Sequence, residues 1–182
     1  MVRLRRPRRV LVLGGARSGK SRYAEDLLRR RPDVDYVACG LPADGSDPEW
    51  DARLALHRER RPASWRTVET ADPAAVLRSP GPPVLLDCLS TWLARAMDDS
   101  GVWTDEPDAD GRLAAAVDDL VDAWASAARP VVAVSNEVGS GVVPATPSGR
   151  RYRDELGVLN ARIAAASHRV WLLTAGLPQR LR

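Results

Sequence analysis

The sequence predicts a doubly wound α/β fold in which helices cover both faces of a mostly parallel sheet. Short apolar runs of strand length alternate with segments of helix length along the chain. The first apolar run leads into a glycine-rich segment and then a helix, an order typical of phosphate-loop nucleoside triphosphatases. Because the chain has 182 residues, 45% of them apolar, we interpret residues 1–182 as a single nucleotide-binding domain. Within it, residues 1–9 form a basic N-terminal extension that we expect to be disordered.

Apolar runs and turn residues define the predicted elements in the first half of the chain. Proline bounds two of the helices, because Pro32 cannot continue the first and Pro48 is favourable at the start of the second. The predicted strands are 10–13, 36–39, 65–68 and 84–86, and the predicted helices are 20–31, 48–61 and 72–78.

The second half continues the alternation. We expect helices at about 90–97, 113–128 and 151–166, with strands at 131–134 and 170–174. The acidic, turn-rich residues 98–110 predict a mobile surface loop, and the polar, glycine-rich residues 135–149 predict a connection after a buried strand.

Charge and cysteine content exclude several classes of protein. Lys and Arg number 27 against 24 Asp and Glu, giving a net charge of +3, and much of the excess lies in residues 3–9. The remainder is close to neutral, so we expect no nucleic-acid partner. No apolar stretch is long enough for a transmembrane segment or the core of a signal peptide. Since Cys39 and Cys88 make neither a disulfide framework nor a zinc pair, we expect a cytoplasmic location.

Residues 14–21 read GGARSGKS and fit the phosphate-loop pattern G-x-x-x-x-G-K-[ST]. Lys20 is the only lysine in the chain, and it occupies the position where a compact ammonium is needed. In this interpretation Lys20 is catalytic and reaches the β and γ phosphates of a nucleotide, while Ser21 binds Mg²⁺. The alternative is a glycine-rich turn without a ligand. The nucleotide-binding residues expected here are Gly14, Gly15, Ala16, Arg17, Ser18, Gly19, Lys20 and Ser21.

Two acidic residues follow predicted buried strands. Ligands of such sheets bind at the carboxyl ends of the strands, where Asp87 and Glu137 would lie. Asp87 is expected to bind the metal and the nucleotide, and Glu137 is expected to act as a base on a substrate hydroxyl or to support the metal. The alternatives are a helix N-cap for Asp87 and turn chemistry for Glu137.

His57 is one of two histidines and lies on a charged helix face. Glu49, Arg53 and His57 are spaced four residues apart, and Arg61 follows one turn later. Neighbouring cations keep an imidazole neutral and nucleophilic and bind anionic phosphates, so His57 is a candidate catalytic nucleophile. The alternative is a solvated helix face. His168 has no partner in the sequence pattern and is expected to be structural.

Together these segments resemble one family, the bifunctional adenosylcobinamide kinase / adenosylcobinamide-phosphate guanylyltransferase of cobalamin biosynthesis. The resemblance covers nearly the whole chain in the family's order. The segments that carry it are residues 14–21, the positions Glu49, Arg53, His57, Arg61 and Pro62, the stretch WRT with Glu69, residues 85–89, residues 136–144 and residues 151–160.

The resemblance implies two reactions. The family phosphorylates a hydroxyl of adenosylcobinamide with ATP or GTP, and then transfers GMP from GTP to that phosphate through a guanylylated histidine. The histidine that matches is His57, and the match implies that Arg53, Arg61 and Glu69 bind nucleotide. It also implies a homo-oligomer, thought to be a trimer. Ala161 departs from the glutamine common in the family, which puts contacts at that position in doubt.

Two other functions are compatible with the residues. A small-molecule kinase of the phosphate-loop class would need Lys20 but not His57. A nucleotide-dependent switch protein would bind the nucleotide without a catalytic role. The guanine-recognition motif N-K-x-D of regulatory GTPases is excluded, because the chain has no second lysine.

Overall fold

The computed structural model describes residues 9–40, 45, 48, 52, 55, 58–59, 61–104 and 106–182. They form a seven-stranded sheet. The strands are β1 (Arg9–Gly14), β2 (Asp35–Ala38), β3 (Arg66–Glu69), β4 (Val84–Asp87), β5 (Val131–Asn136), β6 (Arg169–Thr174) and β7 (Leu177–Arg180). Their order across the sheet is β3-β2-β4-β5-β1-β6-β7, and only β7 is antiparallel to its neighbour among these strands.

Helices cover both faces of the sheet, which confirms the predicted fold class. The helices with described bounds are α1 (Lys20–Leu28), α2 (Pro73–Arg78), α3 (Leu89–Ser100), α4 (Ala109–Ser126) and α5 (Pro147–Ala165). On one face, α1 packs on alternate residues of the central strands in a cluster that includes Val12, Leu85 and Val134. On the other face, a larger core joins α2, α3, α4 and α5 to the intervening strand residues. None of the helices in the described ranges is long and apolar enough to span a bilayer.

Several predicted boundaries differ from the structure. β1 begins at Arg9, within the predicted basic extension, and the rest of that extension lies outside the described residues. α1 ends at Leu28 because the backbone N–H of Arg31 bonds the carbonyl of Leu28 and closes the last turn before Pro32. Within the helix predicted at 48–61, the described residues 48, 52, 55, 58 and 59 are helical, whereas Arg61 lies in a bend, so the predicted C-terminal bound is too long.

The connection between α3 and α4 is shorter than the predicted loop over 98–110. α3 continues to Ser100 and ends at Gly101, whose φ of 74° places it in the left-handed region. The N–H of Val102 then bonds the carbonyl of Met97, a helix-ending arrangement that brings Val102 into the core at 4% exposure. The prediction of a surface loop rested on the acidic, turn-rich composition of residues 98–110, which does not reveal that one valine among them is buried.

The hairpin of β6 and β7 was not predicted. Its turn residues, Ala175 and Gly176, have φ values of 51° and 79°, a pair of left-handed conformations typical of tight hairpin turns. All four residues of β7 are exposed. The strand therefore has no alternation of apolar and polar residues from which it could be predicted. Pro178 fits because β7 is an edge strand, where a missing N–H donor is tolerated.

A buried ion pair joins β2 to the segment before β5. Asp35 is 1% exposed and Arg129 is 6% exposed, and Arg129 Nη1 lies 2.8 Å from Asp35 Oδ2. Arg66 Nε donates to the other carboxylate oxygen at 2.9 Å. The two terminal nitrogens of Arg129 also donate to the carbonyls of Val76 and Pro82, whereas its buried Nε has no hydrogen-bond partner among the described residues.

We expect Asp35→Ala to lower the free energy of unfolding by about 3–5 kcal/mol, because it leaves the Arg129 guanidinium buried without its carboxylate. Urea unfolding followed by circular dichroism measures the change. Asp118→Ala is the control, since its partner Arg162 forms an ion pair on the surface; we expect less than about 1 kcal/mol there. Equal losses in the two variants would contradict this account.

Candidate active site

The phosphate loop connects β1 to α1 at the carboxyl edge of the sheet. Gly14 is the last residue of β1, and Lys20 is the first residue of α1. Arg17 and Gly19 have positive φ values of 56° and 89°, and left-handed residues of this kind are typical of loops whose backbone N–H groups bind an anion. No side chain caps α1 at its N-terminus, and its first N–H groups are therefore suited to bind an anion.

Lys20 is unusual for a lysine because it is only 6% exposed. Its Nζ donates to the carbonyl of Gly15 at 3.1 Å, so the ammonium lies within the curl of the loop. In phosphate-loop proteins the lysine at this position contacts the phosphate oxygens of the nucleotide, and the placement of Lys20 within the loop fits that role.

Gly14 occupies a position where no side chain fits. A Cβ there would lie 2.8 Å from the carbonyl oxygen of Leu173 and closer still to the hydroxyl of Ser18. Ser18 is 7% exposed, and its hydroxyl has no hydrogen-bond partner among the described residues. The close packing of Gly14 against β6 and Ser18 thus restricts the conformation of the loop.

The turn of the β6–β7 hairpin contacts the phosphate loop and stabilises it. The backbone N–H of Gly176 donates to the carbonyl of Ser18 at 3.0 Å. A Cβ on Gly19 would lie 3.5 Å from Gly176 Cα, so the two glycines are in close contact. Sequence reasoning missed this contribution, because residues 177–180 have no strand pattern and Gly176 was the one local signal for a turn.

Asp87 is the final residue of β4 and lies on the same face of the sheet as α1. Leu85 packs in the α1 cluster, and side chains alternate along a strand, so Asp87 shares that face. The N-cap of α3 is Cys88, which means that the helix-cap alternative for Asp87 does not describe its position. The structure therefore leaves the carboxylate at the edge where the phosphate loop begins.

Tyr36 is the hydrogen-bond partner of Asp87 and was missed in the sequence. Its hydroxyl donates to Asp87 Oδ2 at 2.6 Å. Burial raises the pKa of Tyr36, and the negative charge of Asp87 and the hydrogen bond raise it further, so the phenol remains the donor. Arg61 lies over the tyrosine ring, with its guanidinium carbon 3.5 Å from the ring centroid.

Glu137 lies beside the start of the phosphate loop, because its backbone N–H donates to the carbonyl of Gly14 at 3.1 Å. Its carboxylate accepts from the N–H of Gly139 at 2.7 Å. This contact is the turn chemistry considered as the alternative for the segment. A role as a base stays a prediction.

Of the remaining residues predicted from the sequence, the structure describes some and leaves others outside the described ranges. Arg61 Nη1 donates to Thr67 Oγ1 at 3.0 Å, and Glu69 forms an exposed ion pair with Arg58 at 2.9 Å. Arg53 and His57 lie outside the described residues. His168 lies at the start of β6, where its Nδ1 accepts from the backbone N–H of Arg9 at 3.1 Å, in keeping with the structural role expected for it.

Both asparagines of the chain belong to a polar network between β5, α3 and α5. Asn136 Nδ2 donates to Ser90 Oγ at 2.8 Å, and Asn160 Nδ2 donates to the carbonyl of Asn136 at 3.0 Å. Tyr152 donates to the carbonyl of Ser90 at 3.0 Å. These bonds hold the end of β5 against the start of α3, and so fix the edge at which Asp87 and Glu137 lie.

The donor chemistry fits a magnesium–nucleotide complex better than a metal held by protein alone. Within the described ranges, no group of three or more His, Cys, Asp or Glu side chains could hold a metal ion. Mg²⁺ typically keeps several waters and is bound by one or two protein oxygens together with substrate phosphates. A hydroxyl on α1 and a carboxylate on the same sheet face, Ser21 and Asp87, provide that kind of ligand.

Known structures are similar to this chain in fold. The assembled ATPase EscN from the type III secretion system of enteropathogenic E. coli aligns with a TM-score of 0.52 and 15% identity, over 93% of this chain and 43% of that chain. A prototypical ATPase from the type III secretion system of pathogenic bacteria aligns with a TM-score of 0.53 and 18% identity, over 93% and 52%. The chain thus spans about half the length of these ATPases, and at such identities the likeness shows a phosphate-loop ATPase fold alone.

Sequence comparison is more specific. A bifunctional adenosylcobalamin biosynthesis protein, CobP of Pseudomonas aeruginosa, is 42% identical over 96% of this chain and 97% of its own length. The protein CobU of Salmonella typhimurium, described in the same words, is 38% identical over 92% and 96%. The family model for cobinamide kinase / cobinamide phosphate guanyltransferase matches residues 10–181. With nearly the whole length matched, this chain belongs to the cobinamide kinase / cobinamide phosphate guanyltransferase family.

Proposed function

We propose that this chain phosphorylates a hydroxyl of adenosylcobinamide with ATP or GTP, and then transfers GMP from GTP to the new phosphate. Family membership supports both reactions. The observation that carries the proposal is the buried Lys20 ammonium, which donates to the Gly15 carbonyl and begins α1, since a cation at a helix N-terminus favours the binding of phosphates. A homo-oligomeric state and a cytoplasmic location stay predictions.

In the kinase reaction, the substrate hydroxyl oxygen bonds to the γ-phosphorus, and the bond from that phosphorus to the β-phosphate oxygen breaks. Lys20 and the loop N–H groups orient the phosphates and stabilise the charge on the leaving diphosphate. Glu137, beside the loop, would accept the proton of the hydroxyl. Mg²⁺, held through Ser21 and Asp87, would neutralise charge on the phosphate oxygens.

In the guanylyl transfer, an imidazole nitrogen of His57 would bond to the α-phosphorus of GTP as pyrophosphate leaves. A phosphate oxygen of the phosphorylated substrate would then bond to the same phosphorus and release the histidine. Arg53 and Arg61 would stabilise the leaving pyrophosphate, because guanidinium groups match the geometry of phosphate oxygens. The position of Arg61 over the ring of Tyr36, whose hydroxyl bonds Asp87, supports this assignment.

We expect Gly14→Ala to weaken ATP binding by about 10- to 100-fold, because a Cβ overlaps the Leu173 carbonyl and the Ser18 hydroxyl and displaces the loop. Isothermal titration calorimetry measures the affinity. The control is Gly157→Ala on α5, where a Cβ meets nothing within 4 Å. If Gly14→Ala bound ATP as tightly as Gly157→Ala, the proposed shape of the loop would be wrong.

Lys20→Ala should lower both the kinase and the guanylyltransferase rates roughly a hundredfold or more, since it removes the cation that contacts the transferring phosphates. Steady-state assays of both reactions check this. Arg22→Ala removes an exposed cation from the same helix and should retain both activities. Near-normal kinase turnover in Lys20→Ala would overturn the assignment of the loop.

His57→Ala should abolish guanylyl transfer and leave the kinase reaction largely intact, because only the former needs a nucleophile at the α-phosphorus. Protein is incubated with GTP labelled at the α-phosphate and precipitated. Label on the wild type should survive alkali and be lost in acid, as a phosphoramidate would.

His168→Ala is the matched control, because it removes the other histidine, at the start of β6, and should retain the label. Label on the wild type and on His168→Ala but not on His57→Ala supports the bifunctional enzyme. A monofunctional kinase would turn over without labelling, and a nucleotide-dependent switch would show neither reaction. Equal labelling of all three proteins would exclude His57 as the nucleophile.

A further inference from the structure

Tyr36 connects two parts of the candidate site that are distant in the chain. It is the second residue of β2, in register with Leu85 of β4 and Thr67 of β3. The side chain is 3% exposed and packs in the α1 cluster. From there it extends toward the carboxyl edge, so that its hydroxyl reaches the carboxylate two residues beyond Leu85.

The bond to Asp87 is of a strong kind. An O–H···O⁻ bond of 2.6 Å lies in the range of charge-assisted hydrogen bonds, which are about twice as strong as neutral ones. Because the ring is packed between the sheet and α1, the donor itself is held in place. A fixed donor on Oδ2 restricts the rotation of the carboxylate.

Arg61 completes the arrangement on the ring face. Its guanidinium lies over the ring, and its Nη1 bonds Thr67, so β3 and Tyr36 together hold it. Removal of the hydroxyl alone leaves this stacked contact in place. Tyr36→Phe therefore separates the effect on Asp87 from the effect on Arg61.

We propose that Tyr36 is a positioning residue whose hydroxyl orients the Asp87 carboxylate toward the magnesium–nucleotide complex. The inference rests on the proposed function, since it presumes that Asp87 serves bound Mg²⁺. Residues that orient a metal-binding group typically contribute 10- to 100-fold to metal affinity. Tyr36 acts on the metal through Asp87 and is not itself in contact with the substrate.

The test is the affinity for ATP measured by isothermal titration calorimetry, once with Mg²⁺ and once with EDTA. Tyr36→Phe should lose about tenfold of the Mg²⁺-dependent gain in affinity and retain the affinity measured in EDTA. The Mg²⁺ concentration for half-maximal kinase rate should rise by a similar factor, with the rate recovering at high Mg²⁺. Thermal melting verifies that each variant is folded.

Tyr23→Phe is the matched control, because Tyr23 lies on α1 against Trp171 and its hydroxyl bonds none of the described carboxylates. A second test uses the Asp87→Asn background, in which Tyr36→Phe should have no further effect on Mg²⁺ dependence. Because the background removes the charged carboxylate that the hydroxyl orients, a further loss of Mg²⁺ dependence in the double variant would overturn the proposed role of Tyr36.

Equal Mg²⁺ dependence in Tyr36→Phe and Tyr23→Phe would overturn the role of Tyr36 while leaving the proposed function intact. The same conclusion follows if Tyr36→Phe weakens ATP binding equally in Mg²⁺ and in EDTA, as a purely structural defect would. A wild-type protein with identical affinities in Mg²⁺ and EDTA would contradict the metal site itself, and the role of Tyr36 with it.

Discussion

The buried ammonium of Lys20 is the constraint on which the rest of the site depends. A lysine that is 6% exposed needs acceptors close by, and one is the Gly15 carbonyl. The same residue begins α1, where the helix dipole is positive and the first turn has no acidic side chain. Two sources of positive potential therefore meet in one loop, an arrangement that favours an anionic ligand such as a phosphate group.

The surrounding structure keeps that loop in a single shape. Gly14 lies so close to β6 that a Cβ at this position would displace the chain. In the hairpin turn, the backbone N–H of Gly176 donates to the carbonyl of Ser18. On the other side of β5, Tyr36 fixes Asp87 at the end of β4. Each of these contacts acts on the backbone or on a single carboxylate. The site is thus rigid where phosphates and metal are expected to bind.

Much of this could be predicted from the sequence, because local patterns carried the information. β1, β4 and β5 are continuous apolar runs, as buried parallel strands are, and the loop pattern directly follows the first of them. Glu137 was correctly expected at the sheet edge, but not its bond to Gly139. The roles of His57 and Arg53 rest on family resemblance, because both lie outside the described residues.

The rest depends on register between distant segments. Tyr36 meets Asp87 only because β2 pairs with β4 so that Ala38 stands opposite Asp87, and no local pattern in either strand reveals that alignment. β7 was missed for a related reason, since a fully exposed edge strand needs no apolar alternation.

The strand order has a consequence for assembly, because β5 separates β1 from β4 and follows both in the chain. Until residues 131–136 pair with both neighbours, the loop and the carboxylate have no fixed separation; afterwards they lie two strand spacings apart, about 10 Å. Parallel pairing over such sequence distances is slow, so we expect a folding chain to complete this site late, once the whole sheet has formed rather than its first βα unit alone.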